Sequence, residues 1–197
     1  MRGAASTAAY GSAVSRRFAR ARLFARDRRG ATAVEFAMVA APFMALVFGI
    51  FELGMMFLVS TTMESAAQAE ARTLRTGQFQ SAGGDAASYK SAICSSLAWL
   101  TSDCGGNLYV DVRTFPAFAQ VTAPWPVTNG QIDPSKLVFQ TTSACSIVLA
   151  RAFYNWTLLA PGLSGVAHMN NNKVLLLASA AFRNEPFNGA TCPPPPP

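Results

Sequence analysis

The sequence predicts an α+β protein in which a long N-terminal helix precedes a small domain with one further helix and an antiparallel sheet of about three or more strands. Three observations support this prediction. One long stretch is almost entirely apolar, three later segments have the residue pattern of strands, and Gly-, Pro- and Asn-rich stretches separate them. The predicted organisation is a basic leader (1–30), a long helix (31–76), an α+β domain (77–191) and a Pro-rich tail (192–197).

The apolar stretch, residues 36–59, has the length and composition of a membrane span. It contains one charged side chain, that of Glu52. A helix of this length covers ~36 Å, which exceeds the ~30 Å hydrocarbon core of a bilayer. The sequence therefore predicts a single-pass transmembrane helix.

The charge distribution predicts the orientation of this helix. Residues 1–30 hold eight of the sixteen basic residues and one acid, so the net charge of +6 becomes −1 over residues 31–197. Basic residues beside a span remain on the cytoplasmic side, so the rest of the chain is expected to be exported. The basic character belongs to the leader, which argues against nucleic acid as a partner of the whole protein.

Beyond the span, the helix is expected to continue to about Thr76. The segment is rich in helix-forming residues, and Gly77 is a natural stop. Four apolar residues fall on one helical face and predict a narrow packing seam: Met63, Ala67, Ala71 and Leu74.

The exported domain is predicted to begin with a flexible link, residues 78–84, and a second helix that Asp85 caps. Its apolar face is formed by Tyr89, Ile93, Leu97 and Leu100. Three strands follow, at residues 108–113, 147–156 and 174–182, and the last two are expected to be antiparallel neighbours. A Pro-rich loop between the first two resists regular structure.

Four cysteines allow three pairings. In an oxidising compartment disulfides are expected, and we favour Cys94–Cys104, which ties the second helix to the first strand, with Cys145–Cys192, which pins the tail. The cysteine spacing and a single histidine, His168, do not suit zinc, and no metal or cofactor is expected. Motifs of phosphate-binding, hydrolytic and metalloprotease sites are absent from the sequence, so the protein is not expected to be an enzyme.

The boundary between leader and span carries the most informative residues. Gly30 is followed by A-T-A-V-E-F, which places Glu35 and Phe36 at the mouth of the apolar helix. A carboxylate there is costly unless it has a function. Cleavage after Gly30 would create an α-amine on Ala31, and its pairing with Glu35 of a neighbouring subunit would set the register between packed helices. The alternative is that Glu35 reaches the headgroup region.

These residues resemble the prepilin-peptidase site of type IV pilins and pseudopilins. Within that superfamily the chain is similar to the TadE-like minor pseudopilins of tight-adherence (Tad, or Flp) pili. Three stretches carry the likeness: A-V-E-F-A-M-V-A-A-P, F-G-I-F-E-L-G and F-R-N-E-P-F. The first mature residue, Ala31, departs from the phenylalanine usual in type IV pilins and favours the Tad branch.

The resemblance implies a structural and assembly protein with a role in adhesion or secretion. It implies cleavage after Gly30 by a prepilin peptidase and a place in the bacterial inner membrane with the domain in the periplasm. It also implies contacts through the helix with other pilins, pseudopilins and inner-membrane assembly proteins, at the base of a pilus or within the extracellular fibre. The alternative function is an uncleaved, single-pass periplasmic binding protein of the cell envelope.

Other processing routes fit the sequence less well. The letters of a signal-peptidase site occur at residues 67–69, but the apolar run before them is too long. The paired arginines Arg16 and Arg17 lie too far upstream of the span for a twin-arginine signal. An organelle transit peptide would leave Glu35 unexplained.

Two further residues of the span are notable. Glu52 lies ~32 Å along the helix from Ala31, which places it at the outer interface. It is interpreted either as an interfacial anchor or as a polar contact to a partner helix, with Gly49 and Gly54 permitting close approach. Pro42 lacks an N–H group, frees the carbonyl of Met38 and should bend the helix.

Overall fold

A computed structural model describes residues 30–99, 102–160 and 168–193. The helices are α1 (Ala31–Arg75), α2 (Gln78–Ser81), α3 (Ala86–Leu97) and α4 (Cys104–Asn107). The strands are β1 (Leu108–Phe115), β2 (Val127–Thr128), β3 (Gln131–Ile132), β4 (Ile147–Thr157) and β5 (Lys173–Arg183). The predicted fold class, a long helix followed by a small domain with a helix and an antiparallel sheet, is confirmed.

The first helix, α1, belongs to two compact units of the chain. One unit reaches Val47, and the other, here called the C-terminal domain, begins at Phe48. Within the C-terminal domain one face of α1 is buried, and all four residues of the predicted seam lie on it. The arginines of the last turn, Arg72 and Arg75, complement the negative end of the helix dipole.

The third helix, α3, begins as the sequence predicts. The carboxylate of Asp85 accepts the N–H of Ser88, and the hydroxyl of Ser88 accepts the N–H of Asp85, which forms a reciprocal capping box. These bonds lower the pKa of the Asp85 carboxyl. The buried face carries Tyr89, Ile93 and Leu97. The fourth residue of the predicted face, Leu100, lies outside the described residues.

The main sheet has three antiparallel strands in the order β1-β4-β5. Strands β4 and β5 pair over eleven residues each, from Ile147 opposite Arg183 to Thr157 opposite Lys173. The segment beside β1 covers part of its outer edge, because Val112 exchanges backbone hydrogen bonds with Val138 and Gln140. The antiparallel register of β4 with β5 confirms the predicted pairing of the last two strands.

The two faces of the sheet have different coverings. One face packs against α1 and α3 in a core that includes Val59, Ile93 and Val148. The other face carries a smaller cluster, in which Phe153 and Leu175 pack against the segment between β1 and β4. The C-terminal domain thus has helices on one side of its sheet and an irregular chain on the other.

Two segments predicted as irregular contain short regular elements. The predicted flexible link holds the single-turn helix α2, which Gly77 allows by adopting φ +77°. In the Pro-rich loop, β2 and β3 form a hairpin around Asn129 and Gly130, both with positive φ. A two-residue Asn-Gly turn matches strand twist, and the sequence carried this signal.

The domain has two disulfides. They join Cys94 to Cys104 and Cys145 to Cys192, as the sequence predicts. The first ties the end of α3 to the turn before β1. The second ties the chain after β5 to the loop before β4. The first bridge therefore joins the helices α3 and α4, and the second joins two irregular segments.

Candidate membrane anchor and processing site

The predicted cleavage site lies at the start of α1. Gly30 is exposed and forms a 3-10 turn, and Ala31 is the first residue of the α-helix. A Cβ atom added at Gly30 would meet no heavy atom within 4 Å. Packing among the described residues therefore does not require glycine at this position.

The first turns of α1 present their side chains outward. Glu35 and Phe36 are both exposed, and Phe36 retains 74% of its accessible surface. Exposed apolar side chains continue along this part of the helix: Val34, Met38, Val39, Phe43, Met44, Leu46, Val47, Phe48, Ile50 and Phe51. The helix contains a stretch with mean hydropathy 2.1, of which 11% is buried, and is long enough to cross a bilayer. One N-terminal apolar helix of this kind is consistent with a single-pass membrane protein.

Glu52 is the exception on this apolar helix, because it is 1% exposed. Its Oε2 accepts the backbone N–H groups of Leu159 at 2.8 Å and of Ala160 at 2.7 Å. Its Oε1 lies 3.5 Å from the indole Nε1 of Trp156. The carboxylate therefore binds the chain where it leaves β4, and it satisfies two donors that have left the sheet ladder.

This arrangement corrects the interpretation of Glu52 as an interfacial anchor or a contact to a partner helix. Its acceptor atoms are used within the C-terminal domain. The buried face of α1 then continues through Val59, so the domain packs against the last part of the predicted span, residues 36–59. Sequence reasoning missed this contact, because the partners of Glu52 are backbone groups more than a hundred residues away.

The two glycines and the proline of the predicted span make no close contact or helix break that the structure shows. Gly49 and Gly54 have no heavy atom within 4 Å of an added Cβ, so neither is used for close packing there. The helix α1 is unbroken through Pro42. The bend that its missing N–H group predicts stays a prediction.

A second buried charge cluster organises the opposite face of the sheet. Asp111 on β1 is fully buried, and its carboxylate contacts Arg151 at 2.7 Å and Arg113 at 3.0 Å. It also accepts the backbone N–H of Val138 at 2.8 Å. Arg151 and Arg113 donate in addition to carbonyls of the segment between β1 and β4. The cluster fixes that irregular segment on the sheet, and its buried donors and acceptors are paired with one another.

This cluster is structural, and its signals in the sequence are weak. Asp111 and Arg113 alternate with apolar residues on β1, a pattern typical of a strand with one solvated face. Arg151 lies within an apolar strand, where a cation needs a partner. Among the described residues there is no cluster of three or more histidine, cysteine or carboxylate side chains that could hold a metal ion.

The described architecture defines a class of protein, namely one with a single candidate membrane helix at its N-terminus and a disulfide-bonded α+β domain behind it. Residues 30–72 match the family model of the TadE-like proteins. Over that segment the chain is similar to the TadE-like proteins, which confirms the resemblance noted in the sequence and supports a component related to the Tad pilus. The match begins at Gly30 and covers most of α1. No curated protein and no solved structure matches the chain.

Proposed function

We propose that the protein is a minor pseudopilin of a Tad/Flp-type pilus, made as a prepilin and cleaved after Gly30 by a prepilin peptidase. Its role is binding and assembly rather than catalysis. The helix from Ala31 anchors it in the bacterial inner membrane, with the arginine-rich leader in the cytoplasm and the C-terminal domain in the periplasm. It joins the pilus, or the complex that initiates it, through this helix.

The observation that carries the proposal is the coincidence of three boundaries at one peptide bond. The family match begins at Gly30, the α-helix begins at Ala31, and the basic leader ends at the same place. Gly30 is exposed and an added Cβ would meet none of the described residues, so recognition of glycine by an enzyme accounts for it better than their packing does. An exposed junction is also where a peptidase gains access to the backbone.

In this proposal, Glu35 sets the axial position of each helix relative to the helix of the neighbouring subunit. It is exposed on an apolar helix, where a lone carboxylate is expensive in lipid. The new α-amine of Ala31 on a neighbouring subunit provides the opposite charge. A pair of this kind contributes specificity of stagger rather than large stability. The partners are therefore other pilins and pseudopilins and the inner-membrane assembly proteins that collect them.

The cleavage is tested by N-terminal sequencing of protein extracted from membranes. The mature chain should begin at Ala31, and Gly30→Leu should leave a precursor that keeps the leader. Gly49→Leu is the matched control, because Gly49 lies in the helix that follows and an added Cβ there would also meet none of the described residues. That variant should be cleaved normally. A wild-type chain that begins at Met1 while pili form would contradict the proposal and favour the uncleaved periplasmic binding protein.

The role of Glu35 is tested separately from cleavage. Glu35→Gln should be processed at Gly30 yet should reduce pilus assembly, because the neutral amide no longer pairs with an ammonium group. Glu64→Gln removes an exposed charge from the same helix and should leave assembly unchanged. Pilus counts by electron microscopy measure the difference. Equal piliation in the two variants would show that Glu35 has no pairing role.

A further inference from the structure

Over most of its length, the outer edge of β5 is not paired with any of the described residues. Strand β5 lies at the end of the sheet order β1-β4-β5, so one side of it faces β4 and the other faces away from the sheet. Near its start the outward groups are used: the N–H of Leu175 donates to Nε2 of His168, and the carbonyl of Lys173 accepts the N–H of Met169. These bonds identify the odd-numbered residues as the outward-facing ones.

The same alternation shows which backbone groups face outward along the rest of β5. Leu177, Ser179 and Ala181 direct their N–H and C=O groups outward, and these groups have no partner among the described residues. Their side chains are exposed as well. Unpaired backbone groups in a row form a template for another extended chain.

Strand β5 lacks the features that keep edges from pairing. Residues 174–182 read V-L-L-L-A-S-A-A-F, with no charge, proline or glycine, and the strand has no bulge in its register with β4. The opposite edge strand, β1, carries Asp111 and Arg113 and is partly covered by residues 138–140. A long, apolar, unprotected edge is unfavourable for a protein that remains alone.

A groove runs beside this edge and gives the pairing a chemical preference. It has a volume of about 470 Å³ and lies between α1 and the second half of β5. Arg72 is exposed along it and has no acidic partner among the described residues, whereas Arg75 already contacts Glu185 at 3.2 Å. A strand added to β5 would direct every second side chain to this side of the sheet. The groove therefore favours a small apolar segment that carries an acidic residue.

We propose that β5 accepts an extended segment of another envelope protein, which adds a fourth strand to the sheet and places a carboxylate beside Arg72. The affinity comes from main-chain hydrogen bonds to Leu177, Ser179 and Ala181. The specificity comes from Arg72 and the apolar groove. This inference concerns the folded C-terminal domain and holds whether or not Gly30 is cleaved.

A second copy of the chain is a poorer occupant for a geometric reason. Glu52 binds the chain just after β4, which lies beside the start of β5 because the two strands are antiparallel. The carbonyl of Arg75 accepts the N–H of Glu185 just after the end of β5. The helix α1 therefore runs in the same direction as β5. Two β5 edges related by a two-fold axis would pair antiparallel and would point their α1 helices in opposite directions. Two chains anchored in one membrane cannot do this.

The proposal is tested in cells by photo-crosslinking from the edge of β5. A photoreactive phenylalanine analogue replaces Leu177, Ser179 or Ala181 in turn, with Ser95 on exposed α3 as the control position. An added strand predicts adducts with one partner protein, and mass spectrometry should show the attachment point shifting by two residues for each two-residue step along β5. Ser95 should give no such adduct.

A proline substitution tests whether main-chain hydrogen bonds carry the contact. Ala181→Pro removes an outward N–H group, whereas Ala181→Thr keeps it and suits a strand. The yield of the adduct formed from Ser179 should fall at least about tenfold in the proline variant, because that variant loses a hydrogen bond and its ring clashes with the added strand. It should persist in the threonine variant, with both proteins showing the wild-type melting temperature.

Three outcomes would overturn the proposal. They are adducts only to a second copy, adducts without the two-residue progression, and the absence of any adduct from β5. An equal yield from the proline and threonine variants would show that the contact does not use the strand edge. Cleavage at Gly30, read by N-terminal sequencing of the same samples, is independent of all these results.

Discussion

The backbone N–H of Leu159 donates to Oε2 of Glu52 over 2.8 Å, and the N–H of Ala160 donates to the same oxygen over 2.7 Å. One carboxylate on an apolar helix thus captures two donors at the end of the longest strand pair. Leu159 itself is 66% exposed, beside a helix whose residues Leu53, Phe57 and Leu58 are also exposed. Within the C-terminal domain, the contact couples α1 to the chain that leaves β4.

Removal of the Glu52 carboxylate should destabilise the domain. Glu52→Ala leaves two partly buried N–H groups without their acceptor, and we expect the free energy of unfolding to fall by about 1–3 kcal/mol. The measurement is urea unfolding of the full chain in detergent micelles, followed by the fluorescence of tryptophan, since Trp156 lies beside Glu52. Glu64→Ala, at an exposed position of the same helix, should change the free energy by less than about 0.5 kcal/mol. Equal effects of the two variants would contradict this role of Glu52.

The sequence predicted the elements whose signals are local. The start of α3 depends on Asp85 and a residue three positions later, and the face with Tyr89 and Ile93 depends on helical spacing. The strand pair β4–β5 depends on apolar runs, and the disulfide Cys94–Cys104 joins residues only ten apart. Each of these features is specified by neighbours in the chain, so a pattern is sufficient to find it.

The features that were missed depend on distant partners. Glu52 in an apolar run resembles a membrane anchor until the chain after β4 is placed beside it. Asp111 resembles a solvated residue until Arg151, forty positions later, pairs with it. The open edge of β5 is also invisible in sequence, because strand order decides which strand lies at the end of a sheet.

The two disulfides should contribute unequally to stability. They close segments with sequence separations of 10 and 47 residues. In the chain-entropy treatment these loops correspond to ~2.7 and ~4 kcal/mol, because a longer loop restricts the unfolded chain more. Replacement of both cysteines by alanine should therefore cost more for Cys145–Cys192 than for Cys94–Cys104. Denaturant unfolding of the two double variants measures the difference, and the reverse order would show that local packing outweighs loop entropy.

The buried ion pair between Asp111 and Arg151 should behave differently from an exposed one. Asp111→Asn leaves the nearly buried Arg151 uncompensated and should cost about 3–5 kcal/mol. A double-mutant cycle on the two residues should give a coupling energy of about 1–3 kcal/mol. The control is the pair Arg75–Glu185, whose side chains are 55% and 49% exposed, with an expected coupling below about 1 kcal/mol. Similar coupling energies in both cycles would contradict the assigned burial of Asp111.

Two glycines with positive φ, one before and one after α2, distinguish the effect of backbone strain from that of a steric clash. Gly83 has φ +68° and open space around an added Cβ, so Gly83→Ala should cost about 1–2 kcal/mol for the left-handed conformation alone. Gly77 has φ +77°, and an added Cβ there would overlap the side chain of Phe187. Gly77→Ala should therefore cost a further 1–3 kcal/mol, roughly, by displacing that side chain. Hydrogen exchange should show the extra opening at Glu185, whose N–H donates to the carbonyl of Arg75. If both variants lose the same stability and Glu185 stays protected, the segment after β5 does not depend on its contact with Gly77.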